Sequence, residues 1–176
     1  MKKIISLSIT IALLFVMTVS LVGCGAEAST TGPSVSLVDV TTDQGISMKI
    51  PSAMTKQDNG AYVNRETGDT VAVGVGDTAG KQLSEWKEEN VLATYQNKYE
   101  DVVIKSFENG KQINGKNALQ SKLTLKTPKG NALTMTLVIV TDGTKNYIIN
   151  FSHGSDKTDG ALAQNLQACI DSITIK

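Results

Sequence analysis

The sequence predicts an α+β fold, with helices packed on a central antiparallel sheet, behind a short export segment. Long stretches in the second half of the chain alternate apolar and polar residues with a period of two, as half-buried antiparallel strands require. Two segments of helical composition interrupt and end this series of strands, an order typical of α+β domains. The chain starts with lysines, an apolar run and then small residues, which is the pattern of an export signal.

The export segment occupies residues 1–23. Lys2 and Lys3 precede an apolar run over residues 4–22. A run of about 20 residues can span a bilayer, so a retained membrane helix is the alternative, but no basic cluster follows to stop transfer. Residues 21–24 read LVGC, which resembles a bacterial lipobox, where the cysteine takes a diacylglycerol. We therefore expect signal cleavage between Gly23 and Cys24 and lipid attachment at Cys24.

The lipidated Cys24 and a tether of mostly small and polar residues make up residues 24–36, flexible by composition. The remaining residues, 37–176, suit one domain with a substantial core. Lipidation of Cys24 would leave Cys169 as the only thiol, so no internal disulfide is expected. The acyl chains predict a protein anchored by lipid in the cell membrane, on its extracytoplasmic face.

Charge and composition argue against a nucleic-acid partner. The chain has 17 basic and 17 acidic residues, and loss of Lys2 and Lys3 with the signal leaves a net charge of about −2. Arg65 is the only arginine. Nucleic-acid binding usually needs a basic surface and favours arginine, and this chain has neither.

The domain is expected to begin with short strands and to continue as an antiparallel meander. The expected positions are residues 46–50, 62–65 and 70–76 for the short strands and about 102–152 for the meander. Asn109-Gly110 and Asn114-Gly115 fit tight hairpin turns, because both residue types tolerate positive φ.

Two helices complete the expected domain. Residues 81–99 have helix-forming composition and contain neither Pro nor Gly. Residues 159–172 place Leu162, Leu166, Cys169 and Ile170 on one apolar stripe. That stripe predicts that the second helix lies on the sheet.

Four phrases and their order resemble the PsbP-like family, which also includes the Ran-binding Mog proteins. They are GISMKIPSAM at residues 45–54, INGKNALQSKL at 113–123, DGTKNYIINF at 142–151 and IDSITI at 170–175. The resemblance covers most of residues 38–176. It implies an α-β-α sandwich around a central antiparallel sheet. It also implies a non-catalytic domain that docks on other proteins, as in bacterial lipoproteins and the extrinsic subunit of the oxygen-evolving complex.

One strand face departs from that architecture. Lys122, Thr124, Thr134 and Thr136 alternate with apolar residues on neighbouring strands, and they are too polar for burial under an apolar helix. We expect this face to be wetter than the family implies, or only partly covered.

No catalytic or metal-binding constellation stands out. His153 is the only histidine, and a dyad with Cys169 would need an exposed, deprotonated thiol, whereas Cys169 lies on the apolar stripe. One His and one Cys are too few for zinc. Glu66, Asp69 and Asp77 flank a strand and could bind Ca²⁺ weakly, but ordinary solvated turns explain them better. We expect no cofactor, no metal and no enzymatic activity.

Three aromatic residues could offer a stacking surface for a sugar. Tyr95 and Tyr99 share a helix face, whereas Trp86 is expected to point away from them.

The function expected from the sequence is therefore a non-catalytic protein-binding or scaffolding module of the cell envelope, with an envelope protein as its unidentified partner. The alternative is a lipoprotein that binds a small ligand or a cell-wall fragment. The sequence identifies no ligand-binding residues for it.

Overall fold

The computed structural model describes residues 35–77 and 82–175. These residues form two antiparallel sheets and two α-helices. The α+β fold predicted from the strand periodicity is confirmed.

The smaller sheet has three strands in the order β1-β2-β10. Its strands are β1 (Leu37–Thr41), β2 (Ile46–Pro51) and β10 (Thr174–Ile175). The sheet thus joins the first strands of the domain to its last one.

The larger sheet has seven strands in the order β3-β4-β5-β9-β8-β7-β6. Its strands are β3 (Thr55–Lys56), β4 (Tyr62–Val63), β5 (Thr70–Asp77), β6 (Glu100–Ile113), β7 (Lys116–Lys126), β8 (Ala132–Thr141) and β9 (Lys145–Gly154). The last four follow each other in sequence and in space, so the predicted meander is confirmed.

The two predicted hairpin turns have different outcomes. Asn114 and Gly115 connect β6 to β7 with φ values of 47° and 76°, as a tight turn requires. The turn predicted at Asn109-Gly110 is wrong, because both residues lie within β6. Gly110 has a φ of 89° at a shift in the β6–β7 register, so its left-handed backbone makes a β-bulge instead.

The first predicted helix is shorter than expected. Residues Leu83–Glu85 form one turn of 3₁₀ helix, and α1 spans only Glu88–Gln96. Trp86 and Lys87 between them are extended, and the Asn90 side chain accepts the Lys87 N–H at 2.9 Å to begin α1. The second helix, α2, spans Ala161–Asp171 and lies within the predicted range.

The two faces of the larger sheet are closed by different elements. On the face that we call the covered face, Val71, Val138, Ile149 and Phe151 belong to one core that also includes residues of β2 and α2. The opposite face, the groove face, packs against α1 and the segment before it.

The polar strand face is only partly as predicted. Lys122 is exposed and Thr124 is half-buried, but Thr134 and Thr136 are buried. All four lie on the covered face, since Thr136 is paired with Phe151 and Lys122. Threonine is short, and the Thr134 hydroxyl lies 3.4 Å from that of Ser155, so β8 can bury both threonines while β7, nearer the sheet edge, leaves Lys122 in solvent.

Candidate functional site

A groove of about 950 Å³ runs along the groove face of the larger sheet. Its floor is apolar and consists of Ala72 on β5, Ile148 on β9 and Met135, Leu137 and Ile139 on β8. The volume lies at the upper end of the range typical of small-molecule pockets.

Strand pairing explains why these side chains form a continuous floor. Leu137 is paired with Asn150, and Asn150 is paired with Ala72 on its other side. Ile139 is paired with Ile148 in the same way. Because paired residues point to the same side of a sheet, the three strands place one row of apolar side chains beside Asn150.

One wall of the groove is aromatic. Tyr95 and Tyr99 of the α1 region are stacked, with ring centroids 6.2 Å apart, and Trp86 lines the same groove. The prediction that Trp86 points away from the two tyrosines assumed one continuous helix. Trp86 instead lies before α1 in extended backbone, and its half-buried side chain lines the same groove as the two tyrosines.

The Tyr95 hydroxyl ties this wall to the floor. It donates a hydrogen bond to Oδ1 of Asn150 on β9. Burial raises the pKa of Tyr95 well above its usual range, and the neighbouring Tyr99 adds to the shift. The hydroxyl therefore keeps its proton at all physiological pH values and remains a donor.

Asn109 holds the segment that contains Trp86. Its side-chain amide donates to the carbonyl oxygens of Leu83 and Trp86, each at 2.9 Å. The Leu83 carbonyl also accepts the Trp86 N–H at 3.0 Å, whereas the Trp86 carbonyl gains from Asn109 a donor that a continuous helix would have supplied from its own backbone. The residue that the sequence predicted as a turn thus positions one wall of the groove.

One end of the groove carries the charged residues that line it. Lys98, Lys129 and Lys157 line this end, together with Asp156. Lys98 precedes β6, Lys129 lies in the turn between β7 and β8, and Lys157 follows β9. We call this the lysine end.

Sequence reasoning missed the groove and its lysines. The alternation of Met135, Leu137 and Ile139 was visible, but alternation does not show what covers a strand face. The lysines are far apart in sequence, and only the antiparallel order of β6 to β9 brings them to one end of the sheet.

The two residues that were weighed for a catalytic dyad and argued against, His153 and Cys169, are both buried. Cys169 on α2 is fully buried, and burial raises the pKa of its thiol to about 11. His153 at the end of β9 is also buried, and its Nδ1 lies 2.8 Å from the Gly154 carbonyl oxygen. A thiol in this environment is mostly protonated at neutral pH, which makes it a poor nucleophile.

The three acidic residues considered for Ca²⁺ are not brought together. Asp69 and Asp77 lie at opposite ends of β5, roughly 25 Å apart at the usual strand rise. Asp69 is buried, contrary to the expectation of a solvated turn. A Cβ added to Gly160, which precedes α2, would lie 3.7 Å from an Asp69 carboxylate oxygen, so the carboxylate lies beside the positive end of the helix dipole.

Within residues 35–77 and 82–175, no group of three or more His, Cys, Asp or Glu side chains could hold a metal ion. None of the helices in these two ranges is long and apolar enough to cross a membrane. The predicted cleavage and lipidation residues, Gly23 and Cys24, lie outside the described residues, as does the predicted signal.

The sequence matches no protein-family model, and no curated protein matches it significantly. Solved structures do match. The solution structure of cyanobacterial PsbP (CyanoP) from Synechocystis sp. PCC 6803 is 11% identical with a TM-score of 0.57, and the match covers 86% of this chain and 98% of that one.

Two further structures are similar over most of their length. A protein of unknown function from Pseudomonas aeruginosa, described as a putative regulator, is 8% identical with a TM-score of 0.53, covering 80% of this chain and 97% of that one. LpqN, involved in cell envelope biogenesis of Mycobacterium tuberculosis, is 14% identical with a TM-score of 0.52, and the match covers 82% of this chain and 92% of that one. With the helices and sheets described above, these matches confirm the prediction from the four sequence phrases: this chain has the PsbP-like fold.

Proposed function

We propose that this protein is a non-catalytic lipoprotein of the cell envelope, anchored through Cys24 on the extracytoplasmic face of the membrane, whose groove binds an apolar or amphiphilic ligand. The single observation that supports ligand binding is the groove itself. It combines an apolar floor, an aromatic wall and a few polar groups, the composition typical of small-molecule sites. The proposal thus takes up the alternative that the sequence left open.

The envelope location has separate support. The LVGC sequence at residues 21–24 resembles a lipobox, and LpqN, which shares the fold, is involved in cell envelope biogenesis. The test is metabolic labelling with an alkyne fatty acid. We expect the wild-type chain to be labelled and to sediment with membranes, and Cys24→Ser to lose the label. Labelling of Cys24→Ser would overturn lipid attachment at this residue.

The groove is tested with N-phenyl-1-naphthylamine, a neutral apolar dye whose fluorescence rises in apolar sites. Thr94→Phe places a large side chain at a position that lines the groove, whereas the neighbouring Ala93 is exposed and lies outside it. All variants carry Cys24→Ser in the full chain, so dye bound to the apolar segment at residues 4–22 is common to them.

We expect the dye to bind with a saturable component that Thr94→Phe removes and Ala93→Phe retains. Equal binding by the two variants would overturn ligand binding in the groove. Circular dichroism of both variants checks that each is folded.

Protein docking is the second candidate. It is favoured by the aromatic wall, because Trp and Tyr are enriched in protein interfaces, and by the docking role that the PsbP-like resemblance implies. In-cell crosslinking followed by mass spectrometry tests it, with Cys24→Ser as the control that lacks the lipid. A partner captured by the anchored form and lost on Thr94→Phe would support docking at the groove. The same background in all three chains would overturn it.

A further inference from the structure

The groove has an apolar end and a charged end. Its apolar floor follows β8 from Leu133 at the lysine end to Ile139 at the other, a distance of roughly 20 Å at the usual strand rise. Ser155 and Thr127 line the lysine end beside the charged side chains. The site therefore changes from hydrocarbon to hydroxyl and ammonium groups along a single direction.

The lysine end is positive in a protein that is otherwise slightly acidic. Three lysines and one aspartate line it, whereas the chain without Lys2 and Lys3 has a net charge of about −2. Among the residues that the structure describes, Lys98 and Lys157 take part in no ion pair, while Lys56, Lys111 and Lys126 each have an acidic partner within 2.7 Å. Two ammonium groups at the groove are thus available to a ligand.

We propose that the ligand of the groove is an anionic amphiphile, with its hydrocarbon tail on Met135, Leu137 and Ile139 and its negatively charged headgroup at Lys98 and Lys157. This inference rests on the proposed function and adds the chemical class of the ligand. Complementarity supports it at both ends, since hydrocarbon gains from leaving water on the apolar floor and an anion is attracted to the ammonium groups.

Lysine rather than arginine sets the kind of recognition. Arg65, the only arginine, is not a lining residue, and its guanidinium donates to Gln57. Lysine ammonium acts as a mobile point charge without the rigid bidentate geometry of arginine. The groove is therefore expected to select the charge of the headgroup more strongly than its shape.

Trp86 provides the measurement, because it is the only tryptophan of the chain and lines the groove. The full chain with Cys24→Ser is titrated with tridecanoate (a dodecyl chain on a carboxylate), dodecyl phosphate, dodecyl maltoside and dodecyltrimethylammonium, all below their micelle concentrations, while Trp86 emission is recorded. The four probes share one tail, so affinity differences report the headgroup. Comparing the affinities of the carboxylate probe and the phosphate probe distinguishes a fatty-acid headgroup from a phospholipid-type headgroup.

We expect the two anionic probes to bind about tenfold more tightly than dodecyl maltoside and the cationic probe to bind least. The double variant Lys98→Gln/Lys157→Gln should lose this preference while binding dodecyl maltoside as before. The matched control is Lys49→Gln/Lys122→Gln, which removes two exposed lysines that do not line the groove and should keep the preference. Raising the salt concentration should weaken only the anionic probes.

The outcomes separate this inference from the proposed function. Equal affinity for all four headgroups would overturn the anionic class. An anion preference that survives Lys98→Gln/Lys157→Gln would overturn the placement of the headgroup at these two lysines. Either result would leave ligand binding in place. Failure of every dodecyl probe to change Trp86 emission, together with failure of the neutral dye, would overturn both.

Discussion

The covered face and the groove face of the larger sheet are built from the same strands but are closed to different degrees. The covered face lies under α2 and the smaller sheet, and Ile149 and Phe151 are almost completely removed from solvent. Among the described residues, the groove face is covered only by the nine residues of α1 and the short segment before it. The difference shows that one apolar face of a sheet can be enclosed in a core while the other is left partly open as a groove.

Two adjacent isoleucines test this comparison directly. Ile149 lies in the covered core and Ile148 lines the groove. We expect Ile149→Ala to lower the free energy of unfolding by about 3–5 kcal/mol, because the enclosed site leaves a cavity. Ile148→Ala should cost about 1–2 kcal/mol, because the groove is already open to solvent. Urea unfolding measures both, and equal losses would show that the groove face is as tightly packed as the covered face.

Ionisation of the buried Cys169 thiol, on the helix that packs against the covered face, should have the next largest effect on stability. Burial raises the pKa of Cys169 from 9.0 to about 11, so the folded chain holds this proton more tightly than the unfolded chain. The associated stability is complete below pH 9 and is lost as the pH rises through 11. This contribution to the free energy of unfolding is at most about 2–3 kcal/mol.

The stability difference between wild type and Cys169→Ala should therefore shrink between pH 9 and 11. Urea unfolding of both chains across this range measures it, and the other titrating groups are common to the two. A difference independent of pH would mean that the thiol ionises as easily in the folded chain as in the unfolded one.

The smallest loss of stability should come from a substitution at Asn109, which holds the segment with Trp86 at the groove. Asn109→Ala leaves the Leu83 and Trp86 carbonyls without their side-chain donor, which we expect to cost about 1–2 kcal/mol. The segment with Trp86 should loosen, so acrylamide should quench its fluorescence more strongly. Asn117→Ala, at an exposed position near the start of β7, is the control and should leave the quenching unchanged. Unchanged quenching in Asn109→Ala would show that packing alone holds this wall.

Much of the fold could be predicted because its signals are local. The meander from β6 to β9 follows from period-two alternation and from turn residues such as Asn114 and Gly115, and α2 follows from its apolar stripe. The predictions failed where a residue far away in the sequence makes the decisive contact. Asn109 resembles a turn residue in sequence, but within β6 its side chain binds carbonyls more than 20 positions earlier.

The sequence by itself determined the fold class, the meander from β6 to β9 and the PsbP-like resemblance, because alternation, turn chemistry and helical stripes are properties of neighbouring residues. Only the tertiary structure decided which apolar face is covered and which forms a groove. It also decided that Trp86 and Tyr95 line the same groove and that Lys98 and Lys157 line one end of it. These arrangements depend on strand pairing between residues far apart in the chain, and no local pattern encodes what packs against a sheet.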